Sequence, residues 1–316
     1  MAVDILMATY NGGRHLRNQL LSLQQQTYED WTLWVRDDGS VDDTIRILRE
    51  FAGYDSRIKI VEEDSGRHLG PGENFLGLTK YSAAEYVIFC DQDDIWFEKK
   101  LEILVDFAER NFISHVPCLV YCDAYGYSDA EGIITIDSVS LNHAKNLREF
   151  LFFNAGYQGS SMLFNHRLCK MSAEYRGDYF YMHDDVVSLL AHCFGHVYFL
   201  PKKLMLYRQH ASKFTGNIDT SIYSYLRRAF DSKLYVLSAI HYKEKESFFK
   251  AYKDDLDTEA QRLFTAYLEF PQKGLCGRLY LIVRYKFSLG GNTLKLLLKT
   301  LLRRPISDDY GINSNL

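Results

Sequence analysis

Three observations predict an α/β fold built on a mostly parallel sheet with helices on both faces. Apolar strand-like runs alternate with helical runs through the first hundred residues. The connections between them are short, and polar residues gather where the apolar runs end. Strand and helix in alternation with short connections imply parallel pairing, because each crossover helix packs back onto the sheet. In such sheets ligands collect beyond the carboxyl ends of the strands.

The elements follow in chain order. "VDILMATY" is a first strand ending in the turn "NGG", and "RHLRNQLLSLQQQ" carries Leu16, Leu20 and Leu23 at helical spacing. "WTLWVRDDGS" is a second strand ending in acids, and "DDTIRILREFA" a helix with Asp42 or Asp43 at its N-cap. "RIKIVEED" is a third strand. A Gly-rich loop and a helix to about Ser82 lead from it to the fourth, "EYVIFC". From about 117 the pattern turns mixed, with strands "CLVYCDAYGYSD", "GIITIDS" and "SMLFN" and a short helix "LREFLFF". "HDDVVSLLAHCFG" reads as a helix capped by Asp184 and ended by Gly195, followed by the strands "HVYFL" and "KLMLYRQH".

Composition narrows the classes. The 316 residues are 47% apolar with only five prolines, enough for one large domain or a domain with an appendage. A net charge of -4 excludes a general nucleic-acid binder, which shows a basic excess. Six irregularly spaced cysteines are not a disulfide framework. Cys118 and Cys122 fall in an apolar run that reads as strand rather than metal site, and a reducing cytoplasm is the expected setting. The N-terminus lacks the basic start and apolar core of a signal peptide. No run of uncharged apolar residues is long enough for a transmembrane helix.

The densest chemistry is "VIFCDQDDIW". Asp91, Asp93 and Asp94 follow a buried strand and repel one another unless something positive lies among them. Asp91 and Asp93, one residue apart, can aim oxygens at one hard cation, Mg2+ or Mn2+. Asp94 reads better as the cap of a helix beginning "DIWFEKKLEILVDFAER". A DxD after a strand also occurs in phosphatases with a nucleophilic first Asp. The Asp94-Ile95-Trp96 that follows here weakens that alternative.

Taken together, "ATYNG", "RDDGSVDDT", "NFLGL", "FCDQDDIWFEKKL" and "LYRQH", in this order, resemble the family 2 inverting glycosyltransferases. The "DQDDIW", "HDD" and "YRQH" forms look most like bacterial rhamnosyltransferases of cell-surface polysaccharide synthesis. The resemblance covers about residues 3 to 215. It implies a GT-A fold, with residues 1–217 catalytic (1–110 for the nucleotide sugar, 111–217 for the acceptor); beyond it the composition shifts, and 218–316 read as a helical C-terminal region. It implies a nucleotide pocket lined by Thr9, Tyr10 and Asn11, with Asn74, Asp91 and Gln92 beside the donor. By the same resemblance Asp38 accepts a hydrogen bond from a pyrimidine imide, while Asp93 and His210 hold the Mn2+ or Mg2+. The base falls on Asp184 or Asp185. Relatives reading His-Asp-Trp-Trp align Asp184 with it; those reading Glu-Asp favour Asp185, and this chain lacks the Trp pair. Gln158 and Gly159 of "NAGYQGSSM" either shape the acceptor site or form a structural turn.

The implied donor is dTDP-L-rhamnose and the implied acceptor a lipid-linked saccharide. Residues 271 to 305 contain eight Lys or Arg and no acid, with Lys295, Lys299 and Arg303 recurring every four residues opposite Leu294, Leu297, Leu298 and Leu301. Such a helix can lie on an anionic membrane surface at the inner face of the cell membrane. It can equally pack on a partner subunit, giving a homo-oligomer, or on its own core. A different enzyme class, phosphatase or nucleotidyltransferase, and a non-catalytic nucleotide-sugar or glycan binder are the competing readings.

Overall fold

The computed structural model describes residues 1–62, 68–135, 138–140, 143–209 and 234–307. The first half alternates as expected: β1 (Val3–Thr9), α1 (Gly13–Gln24), β2 (Trp31–Asp37), α2 (Thr44–Tyr54), β3 (Ile58–Ile60), α3 (Gly70–Leu78) and β4 (Tyr86–Phe89). β1 pairs in parallel with β2 from Val3↔Trp31 to Thr9↔Asp37, and with β4 on its other side. Three strand ends therefore open side by side on one edge.

The remaining strands extend this sheet. They are β5 (Ile95–Trp96), β6 (Cys118–Ser128), β7 (Gly132–Thr135), β8 (Met162–Asn165) and β9 (His196–Arg208). The order is β3-β2-β1-β4-β8-β6-β9-β5, with β7 on β6. β8 runs antiparallel to β4 and β6, whereas β6 and β9 are parallel. Cys118 and Cys122 are buried on β6, as alternating strand residues should be. β9 is one strand where the sequence suggested two. It shifts register opposite Cys122 and Asp123, close to Pro201, and such irregularities accommodate a residue without an N–H.

Period-2 alternation divides the strand side chains between two cores. Ile5 and Met7 of β1 face one core with Leu16, Leu20 and Leu23 of α1, Leu48 and Phe51 of α2, and Leu104 of α4 (Lys100–Asn111). Leu6 faces the other with Phe75 of α3, Leu168 of α6 (His166–Ala173) and Val187 of α7 (His183–Phe194). Each such side chain withdrawn from water contributes about 1.5–3 kcal/mol.

Two local expectations change, one is met in position with a different acceptor, and one helix is new. The helix after the acidic run starts at Lys100, not Asp94, because Ile95 and Trp96 pair with β9 instead. Asp184 does not cap α7: the cap position is Met182, and Asp184 lies in the first turn. At α2 the N-cap position is Asp43, but the oxygen that accepts from Thr44 N belongs to Asp42. The helix α6, capped by Asn165 accepting from Leu168 N, was not anticipated.

The C-terminal part is β10 (Tyr235–Leu237), α8 (Ala239–Tyr252), α9 (Thr258–Glu269), α10 (Leu275–Tyr285), α11 (Thr293–Leu302) and β11 (Arg304–Ile306). Phe248, Phe264, Tyr267, Phe270, Ile282 and Leu296 are all fully buried. They share a core with Phe150 and Phe152, which belong to and follow the short helix α5 (Leu147–Phe150). No described helix is long and apolar enough to cross a membrane.

Candidate active site

At the end of β1, Thr9 Oγ1 donates to Asp37 Oδ1 (2.8 Å), tying the first strand end to the second. Asp37 Oδ2 also accepts from the backbone N–H groups of Gly39 and Ser40, closing the "DDGS" turn. Asn11 holds the left-handed φ of 46° that Asn tolerates best after Gly. Its N–H donates to Ser40 Oγ and its Oδ1 accepts from Val41 N. Tyr10 is thereby left half exposed, its ring 4.8 Å from that of His68.

Asp38 is buried and heavily engaged. Its carboxylate accepts from Arg36 Nη1, Leu69 N and Gly70 N at 2.8 Å each, and His68 Nδ1 lies 2.9 Å away. A carboxylate offers about four acceptor sites, so a further donor must displace one of these. His68, with 41% of its side chain exposed, is the accessible one. Asn74 on α3 is buried; its Nδ2 reaches Arg36 O, and its Oδ1 has no partner among the described residues.

The acidic run follows β4. Gln92 clamps Tyr10 from both sides, accepting from Tyr10 N and donating to Tyr10 O, each at 3.0 Å. A Cβ on Gly12 would run into that amide and push it off Tyr10. Asp94, expected as a helix cap, is instead fully buried. It accepts from Ser160 Oγ (2.8 Å) and Arg208 N (3.1 Å). Arg208 Nε donates to the Asp93 carbonyl (2.6 Å), and its other end pairs with Asp129. Lys100, fully buried, donates to Ser160 O and stands 3.7 Å over the Trp96 ring. Burial pulls its proton affinity down, while the charges of Asp94 and Asp91 hold it up. The positive charge among the acids is thus partly the protein's own, from Lys100 and Arg208.

Opposite this loop α7 begins. His183 is buried against Phe75 (4.1 Å, stacked) and Phe89, and burial pushes it down to about 3, so the ring is neutral. Burial, then the charges of Asp185 and Asp91, push Asp184 well above the usual carboxylate range. Its Oδ1 accepts from Asp185 N. Gly159 packs against this turn, where an added Cβ would lie 2.7 Å from His183 Nε2. An added Cβ at Gly156 would lie 2.7 Å from the Asp184 carbonyl. Gln158 anchors the turn through its carbonyl, which accepts from Ser161 N and Oγ, while its Nε2 is buried without a partner among the described residues.

Asp185 turns away from Asp184 toward α8. Its Oδ2 lies 3.2 Å from His241 Nδ1, which is 3.6 Å from Glu244 Oε2. Next to them Lys245 is buried and donates to Phe153 O (2.9 Å).

The structure brings together Thr9, Tyr10, Asn11, Asp38 and Gln92 around adjoining strand ends, and the charges of Asp91 and Asp184 act on each other. His210 lies outside the described residues. Sequence reading passed over Arg36, His68, Lys100, Ser160, His241 and Glu244. For the last two, the spacing of three within a helix was the available signal, and it is common in any polar helix face.

A family model described as Glycosyl transferase family 2 matches residues 4–170. The UDP-Glc:alpha-D-GlcNAc-diphosphoundecaprenol beta-1,3-glucosyltransferase WfgD of Escherichia coli is 35% identical over 112 residues, 35% of this chain and 43% of that protein. The dTDP-rhamnosyl transferase RfbG of Shigella flexneri is 36% identical over 126 residues, 39% of each chain. The chain thus aligns with less than half the length of these relatives. Among solved structures, S. aureus TarS 1-349 in complex with UDP-GlcNAc superposes with a TM-score of 0.58 at 15% identity, over 90% of this chain and 80% of that one. At that identity the likeness is one of fold.

Proposed function

The chain belongs to glycosyl transferase family 2 and has a GT-A fold, and on that premise we propose that it transfers a sugar from a nucleotide-sugar donor to a hydroxyl acceptor with inversion. The observation that carries this reading is the placement of Asp184. It lies in the first turn of α7 with the Gly159 turn packed against it, where burial and the charges of Asp185 and Asp91 raise its proton affinity. A carboxylate held in this way can accept the proton of an acceptor hydroxyl as that oxygen attacks the anomeric carbon. The nucleoside diphosphate leaves from the opposite face. General base catalysis of this kind contributes about two to four powers of ten in rate; positioning and electrostatics account for the rest.

Thr9, Tyr10, Asn11, Asn74 and Gln92 are proposed to hold the donor. A pyrimidine imide would reach Asp38 by taking the place of His68. The carboxylates of Asp91 and Asp93 are hard oxygen donors at a strand end, a set that fits Mn2+ or Mg2+. Asp93 would hold the ion, with His210 as its second protein ligand, and the bound ion would offset charge on the diphosphate. Gln158 and Gly159 are assigned to the acceptor side.

The donor proposed is dTDP-L-rhamnose, supported by the partial similarity to RfbG and by the order and form of the motifs. The acceptor proposed is a saccharide on a lipid diphosphate, supported by the acceptor in the name of WfgD. An anionic membrane surface is the proposed place of work, with Leu294, Leu298, Leu301 and Leu302 exposed beside Lys295. The test is a panel of dTDP-L-rhamnose, UDP-glucose and UDP-GlcNAc with Mn2+ or Mg2+, scored by release of nucleoside diphosphate. One donor should turn over, and Asp184→Asn should lose at least 100-fold in rate while binding that donor normally. Full turnover by Asp184→Asn would remove Asp184 from the base role.

A further inference from the structure

Two carboxylates begin α7, and the helix geometry sends them apart, since consecutive residues point about 100° from each other. Asp185 is buried and directed at α8, where His241 stands 3.2 Å from its Oδ2. Glu244, one turn along α8, is 1% exposed, and its Oε2 lies 3.6 Å from the same ring nitrogen. Tyr181 meets the His241 ring edge-on at 5.5 Å, and Lys245 contributes a second buried cation.

We propose that His241 is a positioning residue, a protonated imidazole that draws the Asp185 carboxylate onto α8 and neutralises it, so that Asp184 alone faces the acceptor. This rests on the reading of Asp184 as the base. Charge balance supports it. With all four ionised, Asp185 and Glu244 bring two negative charges, and His241 and Lys245 bring two positive ones. The donor atoms of Asp185, His241 and Glu244 lie within 4.8 Å of one another and so could also surround a metal ion. A metal would require a neutral imidazole, however, and a dication in place of that proton would leave one net positive charge on a cluster already balanced. Burial works against the His241 charge, but the Asp185 and Glu244 carboxylates outweigh it and push the ring up to about 9.

The consequence reaches Asp184 electrostatically. Asp185 is among the groups that raise its proton affinity, together with Asp91 and Glu244. Without the imidazolium, the Asp185 charge is uncompensated and Asp184 holds its proton to higher pH. The C-terminal helices, which lie beyond the part matched by the family model, thereby reach the chemistry of the site.

The experiment measures the pH profile of nucleoside diphosphate release, with water as acceptor, using whichever of dTDP-L-rhamnose and UDP-glucose turns over. In His241→Gln the acid limb should move up by about one pH unit, with the KM for donor unchanged. Asp185→Asn should move the limb down, and adding His241→Gln to it should produce no further shift. A His241→Gln limb that superimposes on that of the unaltered protein would overturn the proposal. So would one equivalent of zinc or manganese in the purified protein that His241→Gln loses. NMR titration separates this idea from the base assignment. The His241 ring should titrate near 9 and fall in Asp185→Asn, whichever aspartate proves to be the base. A ring titrating near 6.5 would refute the pairing.

Discussion

Asp184 and Asp185 differ by one position and by everything around them. Asp184 is half-buried beside the Gly159 turn, and burial with the charges of Asp185, Asp91 and Glu244 raises its proton affinity. A general base must be ionised to act, so transfer should fall as pH drops through a limb above the ordinary carboxylate range. The pH profile of turnover checks this, and a limb near 4 would contradict it. Arg208 shows what tertiary contacts add to a motif. Its Nε donates to the Asp93 carbonyl, so Arg208→Met should cost about 1–3 kcal/mol in urea denaturation by removing that buried hydrogen bond. Gly159→Ala places a methyl 2.7 Å from His183 Nε2. It should cost about 1–3 kcal/mol and slow transfer by shifting the turn that carries Asp184. The acids themselves were legible, because a carboxylate after an apolar strand is a local pattern. Their partners were not: Arg208 is 115 residues from Asp93, and Ser160 is 66 from Asp94.

Among the elements, the early strands and helices follow their hydrophobic periods closely, from Leu16, Leu20 and Leu23 on α1 to Ile5 and Met7 on β1. The tail helix α11 follows its period less simply. Leu296 and Thr300 turn inward, while Leu294, Leu298, Leu301 and Leu302 stay exposed. Lys299, read from sequence as part of a solvated cationic face, instead donates to Val236 O (3.0 Å), and burial pushes it down to about 8. Removing residues 271–316 would strip Ile282, Phe287 and Leu296 from the core, so point changes are the cleaner probe of membrane binding. Leu298→Glu with Leu301→Glu should weaken sedimentation with anionic vesicles at least tenfold, since each buried leucine is worth about 1.5–3 kcal/mol. The melting temperature should not move, because both side chains are already exposed. Unchanged sedimentation would refute the surface.

At the scale of the molecule, the core that holds Leu6 and Phe89 also holds Phe248, Phe264 and Leu296. The C-terminal helices and the sheet therefore share one buried cluster, and the ionisable groups between them couple stability to pH. His241 has its folded-state value raised to about 9 from 6.5. A raised histidine contributes stability that is fully present below about 6.5 and lost as pH rises through 9. Glu244, raised to about 7 by burial and by Asp185, acts in the same direction at lower pH, between about 4.5 and 7. Stability should thus decline from pH 6.5 to 9 by up to roughly 3 kcal/mol. His241→Gln should flatten that decline, as read by urea denaturation at several pH values. An equal slope in both proteins would remove His241 as its source.

The order of strands and helices, the edge on which ligands gather and the acids displayed there were written in local pattern, because hydrophobic period and strand-end chemistry need only near neighbours. Which acids are engaged by buried partners was decided by the fold. Asp94 is engaged by Ser160 and Arg208, Asp38 by Arg36 and the Leu69–Gly70 backbone with His68 at its remaining acceptor site, and Asp185 lies against His241. A carboxylate's role depends on the donors that burial brings to it, and those donors come from segments that only long-range packing places alongside.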